Sequence, residues 1–429
     1  MRRRPMVTWA TLAVALLSGA ALVGCGSDDD EGGADSAPAE IDLAFELPTA
    51  EMSEDASAAL PALPVATDPT ALGSGAAPGF LRGVWDPERG VALAGAGLAE
   101  IEGDRAMSAD DSFRIGSITK TFTATAVLLL VDDGEVDLDE PVATYTGDLT
   151  AALPGGETVT VRQALGMQTG WPEYSNNPAG PFGEAIVDPT KEFTAEDLVA
   201  AAAAEAPTPA DKVTYVNTNF VVLGELVEQV SGSSFGEFVR ERILDPLGLE
   251  NTEIPDQTDT AEPTSHGYLN DDWADFGPEY VVPDEVLEAG GSGTDVTELS
   301  TSVGGTAGNG VSTLGDLARW AAADFGNVLL SDESRAARLD AAPSDDILPG
   351  TGYGLGLQVL GDWHFHEGEI FGWESQLWAN PITGQVVALN ANACCGLLVQ
   401  NLLLITGTYP DDPDLAALEA TIMSLTGGG

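Results

Sequence analysis

Residues 113–122 read Phe-Arg-Ile-Gly-Ser-Ile-Thr-Lys-Thr-Phe, and they hold the most informative spacing in the sequence, a serine three positions before a lysine. Positions i and i+3 share a face at the start of a helix, so the Ser117 hydroxyl and the Lys120 amine can touch. A serine hydroxyl becomes a nucleophile when a base takes its proton, and a lysine can be that base once desolvation lowers its pKa. The backbone N–H of Ser117 would also point toward a developing oxyanion. The alternative interpretation of the Ser-x-x-Lys spacing is an ordinary helix start with no catalytic role.

The chain around this stretch predicts strands at both ends and helices between them. Residues 80–101 form a hairpin around a turn at 86–90, and apolar residues at helical spacing precede Gly134 and Gly232. Ser234 and Glu237 are predicted to form a capping box for a further helix. Late strands are expected at residues 355–360, 363–366, 375–379 and 385–390. We therefore predict an α+β fold, in which the terminal strands meet in one antiparallel sheet.

A second chemical element is Tyr215 with Asn217, just ahead of a predicted helix. A tyrosine near a lysine ammonium loses its proton more easily and can act as a base. The Asn217 side chain offers both a donor and an acceptor to a substrate amide. A buried tyrosine and a helix-capping asparagine are the structural alternative.

The third element is His366-Glu367-Gly368 at a predicted strand end. A strand edge can donate main-chain hydrogen bonds to a substrate, and a glycine there permits close approach. The alternative is a surface histidine whose hydrogen bonds are satisfied. His364 lies on the same strand face, but no cysteine or carboxylate cluster completes a metal site, so we predict no metal and no cofactor.

Taken in order, these three elements resemble the serine β-lactamase and penicillin-binding-protein superfamily. The resemblance is greatest to class C β-lactamases and the related D-alanyl-D-alanine carboxypeptidases and esterases, which have Tyr-x-Asn as the second element. It runs from about residue 79 to 392 and implies an antiparallel sheet flanked by helices, with a mostly helical subdomain. Further matching stretches are 159–165, 169–172, 215–224, 244–249, 308–313, 316–318 and 352–356.

The resemblance implies a role for each matching position. Ser117 would form the acyl-enzyme, Lys120 and Tyr215 would share the proton transfers, and Asn217 would bind substrate. His366, Gly368 and Glu369 would line the substrate site, with the N–H groups of Ser117 and Glu369 as the oxyanion hole.

Two departures from the pattern bear on the substrate. His366 stands where β-lactamases usually have lysine, which weakens recognition of a substrate carboxylate. Glu367 and Glu369 add negative charge beside the site and disfavour an anionic substrate. We expect a serine hydrolase acting on a D-amino-acid peptide, a β-lactam or a small ester. The alternative is a catalytically silent surface protein that keeps the fold to bind a partner.

The first 25 residues predict export. Arg2, Arg3 and Arg4 precede an apolar stretch that ends in Leu-Val-Gly-Cys25, which resembles the bacterial lipobox. Residues 1–24 are then a signal peptide, and lipid on Cys25 holds the protein at the outer face of the cell membrane. An ordinary signal with a chance cysteine is the alternative. Residues 25–64 are predicted to be an acidic tether, and residues 65–429 the hydrolase domain.

The overall charge excludes one class of partner. The 429 residues contain 16 Lys and Arg against 69 Asp and Glu, a net charge of −53. Such a chain repels nucleic acid. A solvated acidic surface accounts for this charge, and adaptation to high salt is a sharper version of the same interpretation.

Two cysteines remain after Cys25. Cys394 and Cys395 are adjacent, so a bridge between them would be strained, and we expect two small buried residues.

Overall fold

The computed structural model describes residues 43–68, 72–274, 281–326, 328–344, 347–394 and 396–425. The predicted signal peptide and Cys25 lie outside these residues. The described strands are β1 Gly79–Asp86, β2 Gly90–Glu100, β3 Arg105–Ala106, β4 Phe113–Arg114, β5 Tyr268–Leu269, β6 Val311–Ser312, β7 Ala342–Pro343, β8 Gly352–Tyr353, β9 Gln358–Leu360, β10 Trp363–Ile370, β11 Trp373–Asn380, β12 Gln385–Ala391 and β13 Ala393–Cys394.

The α-helices lie mainly between the early and late strands of the sheet. They are α1 Glu54–Ala58, α2 Thr119–Asp132, α3 Ala143–Thr146, α4 Val161–Leu165, α5 Pro181–Val187, α6 Ala195–Ala203, α7 Asn217–Ser231, α8 Phe235–Val239, α9 Asp245–Leu247, α10 Asp284–Ala289, α11 Leu314–Asp324, α12 Asp332–Leu339, α13 Leu398–Thr408 and α14 Pro413–Leu425. Short 3₁₀ turns cover Gly116–Ile118, Gly147–Thr150, Thr301–Val303 and Gly305–Ala307, and a π-helical turn covers Arg240–Leu244.

Nine of the strands form one antiparallel sheet in the order β3-β2-β1-β12-β11-β10-β9-β8-β7. The predicted hairpin is β1 with β2, and the predicted late meander is β9 to β12. Strand β1 pairs with β12, so that Phe80 lies opposite Ala391. The prediction of an α+β fold whose terminal strands meet in one sheet is therefore confirmed.

Two long helices, α2 and α7, pack against each other beside the sheet. Every residue of α2 from Thr119 to Leu130 is buried. A helix that is buried on every side lies inside the core. The apolar spacing in the sequence predicted burial of only one face of this helix. Helix α7 ends at Ser231, and the next residue, Gly232, adopts a left-handed φ of 74°, as the predicted stop requires.

Alternation along β10 divides its side chains between two apolar layers. Trp363 and Phe365 point into a cluster with helices α13 and α14, to which Leu402 and Leu415 contribute. The main core, with α2 and α7, lies on the other face of the sheet. Because strand side chains alternate, His364 and His366 are directed away from the α13–α14 layer.

The structure differs from the predicted tether over residues 43–64. The backbone N–H of Met52 donates to the Val91 carbonyl at 2.8 Å, and Met52 and Leu60 are buried against the sheet. Leu43 and Phe45 pack on the main core. The prediction rested on the acidic composition of the segment and gave no weight to these few apolar residues. Their burial offsets the entropy that is lost when the segment is ordered.

The expectation for the paired cysteines is corrected in one respect. Cys394 is buried, as expected, but it is disulfide-bonded. Cys395 lies outside the described residues. Sequence adjacency alone does not show whether the local backbone brings sulfur atoms into bonding position.

Candidate active site

Ser117 lies in the 3₁₀ turn Gly116–Ile118, which leads directly into α2. Gly116 has a left-handed φ of 51°, and a methyl group on it would come within 2.7 Å of the Glu369 nitrogen. A side chain at Gly368 would collide with the Ile115 carbonyl. These two glycines let β10 lie directly against the turn that carries Ser117, so the N–H groups of Ser117 and Glu369 come close together.

The amine of Lys120 is completely buried and touches three oxygen atoms. Its Nζ lies 2.8 Å from Ser117 Oγ, 2.6 Å from Asn217 Oδ1 and 2.9 Å from the Ala307 carbonyl. Burial lowers the pKa of Lys120 to about 7, although the Glu173 carboxylate acts in the opposite direction. A neutral amine has two N–H donors, which match the amide and carbonyl oxygens, and one lone pair, which can accept the Ser117 proton.

Tyr215 stands on the other side of the nucleophile. Its ring lies 4.8 Å from Lys120 Nζ, and its hydroxyl lies near enough to the Ser117 side chain to interact with it. Burial raises the pKa of Tyr215 well above its ordinary value, and the neighbouring Tyr353 and acidic groups add to that increase. Tyr215 is therefore a neutral phenol in this arrangement, so Lys120 is the better base.

Asn217 is the first residue of α7, and its contacts reveal a residue that the motifs did not assign. Its Nδ2 lies 3.3 Å from Ser175 Oγ, and its backbone N–H donates to the Glu173 carboxylate. Glu173 also accepts the Ser175 N–H at 2.9 Å and is 8% exposed. Helix α7 has no capping side chain at Val216, so Glu173 supplies the acceptor from another loop. Its position directly after the matching stretch 169–172 was the available signal.

His366 occupies a different environment from the one predicted for it. It is 1% exposed, and both ring nitrogens have partners: Nδ1 lies 2.6 Å from the Glu367 carbonyl and Nε2 lies 3.2 Å from the Tyr353 hydroxyl. Burial lowers the pKa of His366 to about 3, and the Lys120 charge acts in the same direction. The ring is therefore neutral, and both of its polar atoms are engaged within the protein.

Strand alternation directs the Glu367 and Glu369 side chains to the face of β10 that carries Phe365, opposite to His366, so they do not add the expected negative charge beside the nucleophile. Burial raises the pKa of Glu367 to about 7, despite a hydrogen bond from Gln358 at 3.3 Å, and the nearby Glu369 adds to the increase. The His364 Nδ1 faces the Phe325 carbonyl at 3.3 Å. Within the described ranges, no group of three or more His, Cys, Asp or Glu residues could hold a metal ion. The described contacts therefore place one carboxylate, that of Glu173, beside the buried Lys120 amine.

This site brings together the nucleophile, amine, phenol and amide that two separate motifs predicted, namely Ser117, Lys120, Tyr215 and Asn217. The sequence patterns did not assign Glu173, Tyr353 or the Ala307 carbonyl. Their contacts join segments that are far apart in the chain, so local periodicity carries no signal for them.

Comparison with known proteins identifies the class of the chain. The family model described as Beta-lactamase matches residues 60–393. The chain therefore belongs to the Beta-lactamase family, whose penicillin-binding-protein and amidase members share the serine β-lactamase/transpeptidase fold.

The chain is similar to two amidohydrolases of known structure and to a penicillin-binding protein. A D-stereospecific amidohydrolase from Streptomyces sp. is 30% identical, with a TM-score of 0.64 over 78% of this chain and 95% of that one. A D-amino acid amidase from Ochrobactrum anthropi SV3, solved with L-phenylalanine, is 28% identical, with a TM-score of 0.63 over 75% of this chain and 88% of that one. Penicillin-binding protein 4* of Bacillus subtilis (strain 168) is 28% identical over 201 residues, which are 45% of this chain and 41% of that protein.

Proposed function

We propose that the protein is a serine amidohydrolase that acts through an acyl-enzyme on the amide or peptide bond of a D-amino acid with a free amino group. The observation that carries this proposal is the Lys120 amine, which is buried, lies 2.8 Å from Ser117 Oγ and has two other oxygen partners. The similar D-stereospecific amidohydrolase and D-amino acid amidase support the substrate class.

Acylation begins when the neutral Lys120 amine takes the Ser117 proton as Oγ attacks the substrate carbonyl carbon. The N–H groups of Ser117 and Glu369 stabilise the oxyanion that forms on the carbonyl oxygen. Tyr215, a neutral phenol beside the same Oγ, donates a proton to the leaving nitrogen as the C–N bond breaks. Its proton is replaced by the one that Lys120 took, and water then hydrolyses the ester on Ser117.

The charges around the nucleophile support a substrate with a free ammonium group. The Glu173 carboxylate acts on the Lys120 amine, and the histidine of the site is neutral. A substrate carboxylate would face like charge, whereas an ammonium group would be attracted. This distinction separates an amidase that acts at a free amino end from a carboxypeptidase that must hold a free carboxylate.

A substrate panel tests this proposal. We expect D-phenylalanine amide to be hydrolysed with a kcat/KM at least about 100-fold above that of an N-acyl-D-alanyl-D-alanine, because like charges at the site cost several kcal/mol. L-phenylalanine amide is the stereochemical control, and a chromogenic cephalosporin and a short-chain ester test the other substrate classes. A preference for the N-acyl dipeptide would overturn the charge argument.

We further propose that the protein is exported and anchored to the outer face of the bacterial cell membrane by lipid on Cys25. The lipobox-like residues 22–25 support this proposal. Among the described residues, no helix has the length and apolar character that crossing a bilayer requires. Two acyl chains give a stable anchor through their buried methylene groups.

Cell fractionation tests the anchor. The full chain should be recovered with membranes, and Cys25→Ser should move it to the soluble fraction because the lipid attachment site is lost. Metabolic labelling with a fatty acid should mark the first form and leave the second unlabelled. Equal membrane recovery of the two forms would contradict the proposal.

A further inference from the structure

Three rings pack together directly behind the nucleophile. The Tyr353 and His366 ring centroids are 6.0 Å apart, and those of Tyr215 lie 6.3 Å from Tyr353 and 6.2 Å from His366. Tyr353 and His366 are each 1% exposed. Of these three rings, only Tyr215 takes part in the proposed proton transfers. The burial of Tyr353 and His366 beside it indicates a different role for those two residues.

Hydrogen bonding fixes the proton on the His366 ring. A carbonyl oxygen can only accept, so the 2.6 Å contact between Nδ1 and the Glu367 carbonyl places a hydrogen on Nδ1. A neutral imidazole has a single N–H, which leaves Nε2 as an acceptor. The Tyr353 hydroxyl, 3.2 Å from Nε2, must therefore donate to it. The Tyr353 hydroxyl and the Glu367 carbonyl together determine both the tautomer and the orientation of the ring.

This bonded ring touches two parts of the acyl-transfer machinery. On one side it packs against Tyr215, whose hydroxyl interacts with the Ser117 side chain. On the other side it holds the Glu367 carbonyl, one peptide unit before the one that carries the Glu369 N–H. The main chain in between, at Gly368, lies directly against Ile115 and Ser117. A rotation of the His366 ring would therefore move both the phenol and an oxyanion donor.

We propose that Tyr353 is a positioning residue for acyl transfer and a determinant of specificity: its hydroxyl holds His366 as a neutral, Nδ1-protonated ring that orients Tyr215 and strand β10. The charged or titratable groups around this ring are Lys120, Arg338 and Glu367. Because the bonds on both nitrogens are internal, this position offers no cation to a substrate carboxylate. The positioning role rests on the proposed function, whereas the tautomer does not.

The first measurement needs no substrate. The chain contains three histidines, so ¹⁵N-labelled imidazole signals can be assigned by substituting each histidine in turn. His366 should show a protonated Nδ1 and an unprotonated Nε2 from about pH 5 to pH 8, a range in which an ordinary histidine titrates. A protonated Nε2, or a cationic ring at neutral pH, would overturn the proposal whatever the protein's substrate.

The second measurement is the kinetics of Tyr353→Phe, which keeps the ring and removes the hydroxyl. We expect kcat for D-phenylalanine amide to fall about tenfold, the equivalent of one hydrogen bond, while KM changes less than about twofold. Tyr145→Phe is the matched control, because Tyr145 accepts a backbone N–H at 2.8 Å on a different part of the fold. Equal kcat values for the two variants would exclude a positioning role.

A second variant covers the case in which Tyr353→Phe does not fold. His366→Phe keeps a ring against Tyr215 and removes both hydrogen bonds, so kcat should fall at least as far. When both single variants fold, the double variant should be no slower than His366→Phe, because the two residues act through one contact. Additive losses would contradict that coupling. A wild-type protein with the expected tautomer but no amidase turnover would refute the proposed function and the positioning role that rests on it, and would leave the assignment of the tautomer standing.

Discussion

Acylation of Ser117 is expected to become faster as the pH rises through about 7, and Lys120→Met should lower its rate by about 10⁴-fold. Below its pKa, the Lys120 amine carries a proton and cannot take the one on Ser117. Above its pKa, the lone pair faces Ser117 Oγ at 2.8 Å. The rate can be followed by mass spectrometry of the acyl adduct formed from an activated ester.

Control variants isolate the group that titrates. Ser117→Ala should give no adduct, whereas Ser57→Ala, which changes an exposed serine on α1, should behave as wild type. Burial also raises the pKa of Glu367 and of Glu369 to about 7, so Glu367→Gln and Glu369→Gln distinguish these carboxyl groups from Lys120. The pH dependence should persist in both variants and vanish in Lys120→Met. Its survival in Lys120→Met would mean that another group is the base.

The second large effect concerns stability rather than chemistry. Arg338 donates to both carboxylate oxygens of Asp324, at 2.5 and 2.8 Å, and Thr125 donates to the same carboxylate at 2.6 Å. Both charged side chains are at most 1% exposed. Removing one partner leaves an uncompensated buried charge, so Arg338→Met should lower the free energy of unfolding by about 3–5 kcal/mol. Denaturant unfolding followed by fluorescence measures this loss.

An exposed ion pair provides the matched comparison. Arg240 bonds Asp245 at 3.0 Å, but the two side chains are 51% and 52% exposed. Arg240→Met should therefore cost less than about 1 kcal/mol. Replacing both buried partners, with Asp324→Leu and Arg338→Met together, should recover part of the loss because no charge remains unpaired. Equal small losses for Arg338→Met and Arg240→Met would show that the buried pair contributes little.

Local patterns in the sequence predicted the main helices and strands of the fold. Helical spacing placed Ser117 and Lys120 on one face, and strand alternation with turn residues gave the hairpin and the late meander. The order of motifs also predicted the family and the fold class. Such features depend on periods of 2 and 3.6 residues, which neighbouring residues specify by themselves.

Charge and protonation at the site required the tertiary structure. Tyr215 was predicted as part of the base apparatus, but burial raises its pKa and lowers that of Lys120. His366 was predicted to line the substrate site, but its ring is bonded to Tyr353 and to the Glu367 carbonyl. Desolvation depends on which distant segments cover a side chain, and no local pattern records that.

The sequence alone determined that this chain is a β-lactamase-like protein with a serine and a lysine poised at one helix start. Only the tertiary structure brought Glu173 to the first N–H of α7, 44 positions along the chain, and Tyr353 to His366. Secondary structure follows from short-range sterics and periodicity, whereas these contacts form only when the loops, helices and sheet pack together and exclude water.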